Sequence, residues 1–307
     1  MLWWFAVPIL AQQPGPADMP QEMVWVDRAG NILGRAGAVQ NSIFFPEISP
    51  DGQWIAVSAR DGEVNDRDIW LHHTSDGTKK PLVKMKGNDN FPVWSPDGKE
   101  LMFTSSRSGN YELYRKIVDG NEPERRVADL PSADYPRAWS PDGRSLIYTQ
   151  AVTGRDLFLL PLANGEPPAT RLFPDIPAWQ DAARISPGGK YVAYASNAGG
   201  PWEVYVASLE KPAQRWKVSR ELANGWAGGG GQPRWRRDGR ELWYMLGNDT
   251  MMAVDIEPGP AFRFGKPKRL FALLGMRGNF PEEAPWLHKY DVTADGQRFL
   301  FVRTVPK

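Results

Sequence analysis

One tight turn recurs along this chain at nearly constant spacing, and it constrains the fold more than any other feature. Aligned on the turn glycine, the copies stand at Gly52, Gly98, Gly143, Gly189, Gly239 and Gly296, in the contexts SPDGQWIAV, SPDGKELMF, SPDGRSLIY, SPGGKYVAY, RRDGRELWY and TADGQRFLF. Successive glycines are 46, 45, 46, 50 and 57 residues apart. In the first copy Pro50 presets φ for a type I turn, Asp51 can bond local backbone, and Gly52 takes the left-handed conformation; the turn decays in the last three copies while the strand after it survives. These are hairpin corners. Calcium ligation by the repeated aspartates is disfavoured, because one carboxylate per copy does not assemble the several converging oxygens that calcium needs.

Each corner is followed by a short alternating strand and then by a second strand motif in which an acidic residue precedes an aliphatic and an aromatic one: Asp68-Ile69-Trp70, Glu112-Leu113-Tyr114, Asp156-Leu157-Phe158 and Glu203-Val204-Tyr205. The dipeptides Asp76-Gly77, Asp119-Gly120 and Asn164-Gly165 then signal another hairpin. A further short strand follows, so each unit holds four antiparallel strands in about 45 residues, the size of a propeller blade. The expected fold is all-β, a six-bladed β-propeller. The sixth copy has only two strands, His288 to Thr293 and Gln297 to Thr304, before the sequence ends. Residues 23–30 match the third-strand-and-turn pattern and Ile32 to Arg35 the fourth strand, so the N-terminal strands are expected to close the last blade and hide two sheet edges.

With this pattern laid out, the chain resembles the six-bladed TolB-type propellers over residues 23–307. The runs FPVWSPDGKELMFTSSRSGNYELYRK, MMAVDIEPGPAFRFGKPKRLF and YDVTADGQRFLFV further resemble the C-terminal extracytoplasmic propellers of bacterial membrane serine/threonine protein kinases. The resemblance implies a recognition or sensor module, either free or detached from such a kinase. No phosphate-covering glycine loop, catalytic-loop aspartate motif or DFG occurs in the chain, so it is not expected to be a kinase itself.

Composition adds exclusions. Cysteine is absent, which removes disulfides and thiolate chemistry. The 37 basic residues against 36 acidic ones give a net charge of +1, so no global field favours nucleic acid. The adjacent His72 and His73 point to opposite faces of a strand and cannot chelate one ion, and neither a metal nor another cofactor is expected. Residues 1–11 are apolar but too few to span a bilayer as a helix. Residues 1–22 read as an export-signal or anchor remnant with a linker, which implies a periplasmic or extracytoplasmic location and membrane contact only through that anchor; separately, a monomer is expected. The run Gly228 to Gly231 reads as a mobile loop between the fourth and fifth blades.

Aromatics repeating at blade period, Trp94, Trp139 and Trp235 before the corner and Trp54, Phe103, Tyr148, Tyr194, Trp243 and Phe299 after it, are assigned to packing. Those that break the period are the candidates for recognition: Trp179, Trp226, Phe280 and Trp286, in the long connections that carry one blade to the next. Glu47, Arg184, Arg234 and Asp291, two positions before their corners, place charge near the propeller axis and complete the candidate binding residues. The expected function is non-catalytic binding of a protein, a peptide or a small envelope ligand on the long-loop face. The alternative is a hydrolase or lyase working through the carboxylates Glu47 and Asp291 beside the two arginines.

Overall fold

The computed structural model describes residues 20–61, 66–130, 133–152, 154–163, 168–219, 229–247, 249–273, 288 and 290–305. All its regular elements are strands: β1 (Pro20–Asp27) and β2 (Ile32–Arg35); β3 (Gln40–Ile48), β4 (Trp54–Arg60), β5 (Asp68–His73) and β6 (Lys79–Val83); β7 (Asp89–Trp94), β8 (Glu100–Ser105), β9 (Glu112–Ile117) and β10 (Arg125–Arg126); β11 (Asp134–Trp139), β12 (Ser145–Gln150), β13 (Asp156–Pro161) and β14 (Thr170–Arg171); β15 (Gln180–Ile185), β16 (Tyr191–Ser196), β17 (Glu203–Ser208) and β18 (Arg215–Lys217); β19 (Gly230–Trp235), β20 (Glu241–Leu246), β21 (Thr250–Glu257), β22 (Arg263–Phe264) and β23 (Lys268–Ala272); and β24 (Tyr290–Val292) with β25 (Arg298–Thr304).

Sheet order follows the repeat. β7 to β10, β11 to β14 and β15 to β18 each form a four-stranded antiparallel sheet, and β19 to β23 form a fifth in which β22 and β23 both pair with β21. The remaining strands form one eight-stranded sheet made of two sets of four, β24-β25-β1-β2 and β3-β4-β5-β6. The pairs Pro20 with Asn41 and Gln21 with Gln40 join the two sets. β1 lies against β25 in unbroken register from Gln21 opposite Thr304 to Asp27 opposite Arg298. The beginning of the chain thus supplies the partners of its last hairpin.

The corners are built as the residues dictate, with one addition. Gly52 has φ of 75° and donates its N–H to the Ser49 carbonyl at 2.8 Å. The Ser49 hydroxyl donates to Asp51 at 2.5 Å and accepts the Trp54 N–H at 2.9 Å, while Asp51 accepts the Gln53 N–H at 3.0 Å. Ser95 with Asp97, Ser140 with Asp142 and Thr293 with Asp295 repeat the arrangement. The hydroxyl is therefore as much a part of the turn as the proline, which explains why threonine can replace serine in the last copy.

Successive sheets are stitched together at their first strands. The indole N–H groups of Trp94, Trp139 and Trp235 donate to the carbonyls of Glu47, Val93 and Arg184, at 3.0, 3.2 and 3.0 Å, each in the preceding sheet. Ser58 donates forward to the Asp89 carbonyl and Thr104 to the Asp134 carbonyl. Between the sheets, the post-corner aromatics Phe103, Tyr148, Tyr194, Trp243 and Phe299 are buried, each contributing roughly 1.5–3 kcal/mol. Gly230 and Gly231 open strand β19 instead of forming a loop, a correction to the expectation for that run. A Cβ on Gly230 would meet the side chains of Ser219 and Tyr244 at 3.0 Å, so a larger residue there would have to push them aside.

Two buried titratable side chains give opposite pH slopes. Burial, helped by the charge of Lys79, holds His72 down to about 4; its Nδ1 accepts the Ala38 N–H at 3.2 Å and its Nε2 faces Gln40 at 2.9 Å. Burial pushes Asp89 up to about 6 against the pull of Ser105 and Arg107. Between pH 4 and 6.5 the unfolded state holds more protons at His72, so that residue's contribution to stability rises with pH. Between pH 3.8 and 6 the folded state holds more at Asp89, so its contribution falls as pH rises. Each effect is about 3 kcal/mol across its window. Urea titrations should find that acidification costs Asp89→Asn more stability than it costs the wild type, and His72→Asn less.

Candidate functional site

The first strands β3, β7, β11, β15 and β19 contact one another in succession and β24 contacts β3, and four of the residues two positions before the corner meet. Arg184 Nη2 lies 2.8 Å from Glu47 Oε2, Arg234 Nη2 3.4 Å from the same oxygen, and Arg234 Nε 2.9 Å from Asp291 Oδ1. Asp291 Oδ2 also accepts the Ile48 N–H at 2.7 Å. All four proposed charged residues are thus brought together, from four separate strands, as a cluster of two cations and two anions. Their side chains keep between 4% and 15% of their exposure, so the cluster is largely shut off from solvent.

Electrostatics follow from that burial. Desolvation raises Glu47 above the usual carboxylate range, opposed by Arg184 and abetted by Asp291. Arg184 is pushed down to about 10 by burial and by Arg234. Burial also pulls Arg234 down, but Glu47 and Asp291 outweigh it and hold the guanidinium above its ordinary value. His288 is held well below its ordinary value by burial and by Arg184, Arg234 and Arg137. Its Nδ1 lies 3.4 Å from Arg184 Nη2, which suits a neutral ring. Among the described residues no group of three or more acidic or histidine side chains is placed to hold a metal ion.

Of the aromatics expected in the long connections, Trp226, Phe280 and Trp286 lie outside the described residues. Trp179 is half-buried; its N–H donates to Asn197 at 2.8 Å, and its indole lies against Gly154, where a Cβ would come within 2.9 Å of Nε1. Glycine at 154 makes room for that ring.

A second aromatic set was not anticipated. Phe45 of β3 stacks on Phe91 of β7 with ring centroids 3.8 Å apart, Phe91 meets Tyr135 of β11 at 5.1 Å, and Tyr135 meets Tyr111 at 5.8 Å. Guanidinium groups cover three of the neighbouring faces: Arg67 over Phe44 at 4.4 Å, Arg137 over Phe91 at 4.6 Å and Arg155 over Tyr135 at 5.6 Å. The run passes from the buried Phe45 and Phe91 to the half-exposed Tyr135 and Tyr111. Tyr111 immediately precedes β9 and Trp179 immediately precedes β15. First and third strands of an antiparallel sheet begin at the same end, so both lie at the end opposite the corners.

Backbone geometry explains why these rings were missed. Phe45, Phe91, Ala182 and Gln232 each stand seven residues before their turn glycine and all have φ near +55°. Register slips beside them, between Asn90 and Val93, Asp181 and Arg184, and Gly231 and Arg234. A bulge at this point re-aims side chains that strict alternation would place elsewhere. Positive φ at phenylalanine costs on the order of 1–3 kcal/mol and persists where the surroundings over-determine it, as such residues do at binding sites. Alignment on the turn glycine would have exposed the set, since Phe45 and Phe91 stand seven positions before it and Tyr135 and His288 eight.

Residues 34–166 match the family model described as the TolB beta propeller domain. The putative TolB from Agrobacterium tumefaciens superposes with a TM-score of 0.66 at 18% identity, over 95% of this chain and all of that one. TolB from Acinetobacter baumannii superposes at 0.59 and 20% identity, over 83% of this chain and 68% of that one. This chain has a TolB-like propeller fold. Among curated proteins, the Tol-Pal system protein TolB of Alcanivorax borkumensis is 28% identical over 90 residues, 29% of this chain and 20% of that protein. An uncharacterized peptidase of Bacillus subtilis, YuxL, is 33% identical over 95 residues, 29% of this chain and 14% of that protein. The TolB-like chain thus spans less than a third of the length of these curated relatives.

Proposed function

We propose that this chain is a non-catalytic recognition module, a six-bladed ring closed by β1 and β2, which takes a protein, peptide or small envelope ligand on the end opposite the corners. The observation that carries this reading is the pairing of partly exposed aromatics and guanidinium groups at that end with a self-neutralised charge cluster beneath it. Aromatic and arginine side chains dominate binding energetics wherever they line a surface. By contrast, the two carboxylates are largely shut off from solvent, Asp291 engaged at both oxygens and Glu47 bridged by two arginines through Oε2, an arrangement that balances charge instead of offering a carboxylate to a substrate. Likeness to TolB proteins favours an extracytoplasmic setting and a macromolecular partner. Among the described residues no helix is long and apolar enough to cross a membrane.

The test is capture from a bacterial envelope extract by the intact chain, compared with Tyr111→Ala, Tyr135→Ala and Trp179→Ala. Each variant is expected to melt near wild type while the tyrosine variants lose about tenfold or more in affinity for the captured partner. Capture untouched by all three, or turnover of a hydrolase or lyase substrate that vanishes in Glu47→Gln, would overturn the reading.

A further inference from the structure

Arg137 occupies the bulge of β11, where register slips between Pro136 and Ala138, and it has no exposed surface. Its Nε is fully engaged, 2.6 Å from Asp181 Oδ1 and 2.9 Å from the Thr149 hydroxyl. Neither of its terminal nitrogens has a hydrogen-bond partner among the described residues, and the same holds for His288 Nε2. Both groups border the Phe91 ring, Arg137 at 4.6 Å and His288 at 6.5 Å. The charged groups around Arg137 are Asp181, Arg155 and Arg184. Asp181 is shared, since its Oδ2 lies 2.6 Å from Arg155 Nη1. Leaving two guanidinium nitrogens unpaired in a buried place is costly, and a native structure that does so calls for a partner.

We propose that the terminal fork of Arg137 receives a carboxylate carried by the ligand, with the group attached to that carboxylate reaching out past the partly exposed Tyr135 and Tyr111. Geometry decides the chemistry. With Nε anchored by Asp181, the two remaining nitrogens present parallel donors in one plane, which match the two oxygens of a carboxylate. Arg137 lies over the Phe91 ring at 4.6 Å, and the aromatic run continues from Phe91 to the partly exposed Tyr135 and Tyr111. His288 Nε2 adds a second polar contact beside the same ring. The inference rests on the reading of this end as the recognition surface, and it names the chemical group recognised: the carboxylate of a small organic acid or of a peptide's C-terminus.

Calorimetry with benzoate and benzamide tests the carboxylate. Benzoate is expected to bind with a Kd on the order of millimolar, and benzamide at least about tenfold more weakly. A short peptide ending in phenylalanine, with its carboxyl free or amidated, separates the two sources: tight binding of the free form alone assigns a chain terminus, and binding of benzoate but neither peptide assigns a small acid. Arg137→Gln should abolish benzoate binding, while Asp181 keeps Arg155 as its partner. Should that variant fail to fold, Phe91→Leu keeps the charge and should still weaken benzoate several-fold. Binding of neither benzoate nor the free peptide, or unchanged binding in the variants, overturns the inference. It would fall alone if Tyr135-dependent capture of an envelope partner persisted; benzoate binding without any such capture would instead sink the wider reading.

Discussion

Glu47→Ala is expected to destabilise the protein by about 3–5 kcal/mol, the range for removing one partner of a buried ion pair. Glu47 takes both Arg184 at 2.8 Å and Arg234 at 3.4 Å through one oxygen. Its loss leaves two buried guanidinium groups with Asp291 as the remaining acid of the cluster. The double replacement Glu47→Met with Arg184→Met should regain most of that loss, because it removes one charge of each sign and fills the space with apolar atoms. Urea unfolding of the two variants measures both effects. Near-wild-type stability in Glu47→Ala would mean that the cluster is solvated and open, and would return Glu47 to candidacy as an acid–base group.

Removing residues 1–35 should prevent the chain from folding as a soluble monomer. Alternation along β1 sends Met23 and Trp25 into the core of Ile43, Ile55 and Val57, while Val24 and Val26 enter that of Trp243, Phe271 and Phe299. One strand therefore seals two layers. Burying these four side chains contributes roughly 6–12 kcal/mol, comparable to the whole stability of a typical domain. The truncation also leaves β25 paired on one side only, with β24, and exposes its other edge. Gel filtration should find aggregate, and a peptide of residues 20–35 added during refolding should restore monomer. A truncated chain that elutes as a monomer with unchanged melting would show that β1 is dispensable.

Legibility in the sequence followed the range of the interaction. The corners were readable in detail because Ser49, Asp51, Gly52 and Trp54 bond one another within five residues, and the same spacing recurs in the later copies. Strand order within each sheet followed from hairpins of short reach. The expected place of β1 and β2 beside the last hairpin also followed, since those segments carry the third- and fourth-strand pattern without a corner of their own. The central charges were readable as positions but not as a cluster. Likewise the aromatic run from Phe45 to Tyr111 was obscured, because bulges with positive φ break the alternation by which a reader assigns faces.

The amino-acid sequence by itself determined the repeating unit, its turns, the buried post-corner aromatic of the later copies and the pairing of the two chain ends, since each is encoded by contacts between near neighbours or by a pattern repeated at fixed period. Only the tertiary structure decided that Glu47 meets Arg184 and Arg234, 137 and 187 residues away, and that Arg137 lies on the Phe91 ring with two nitrogens unpaired. Those contacts depend on the rotation accumulated from sheet to sheet and on where each bulge turns the inner strand, quantities to which no local run of residues corresponds.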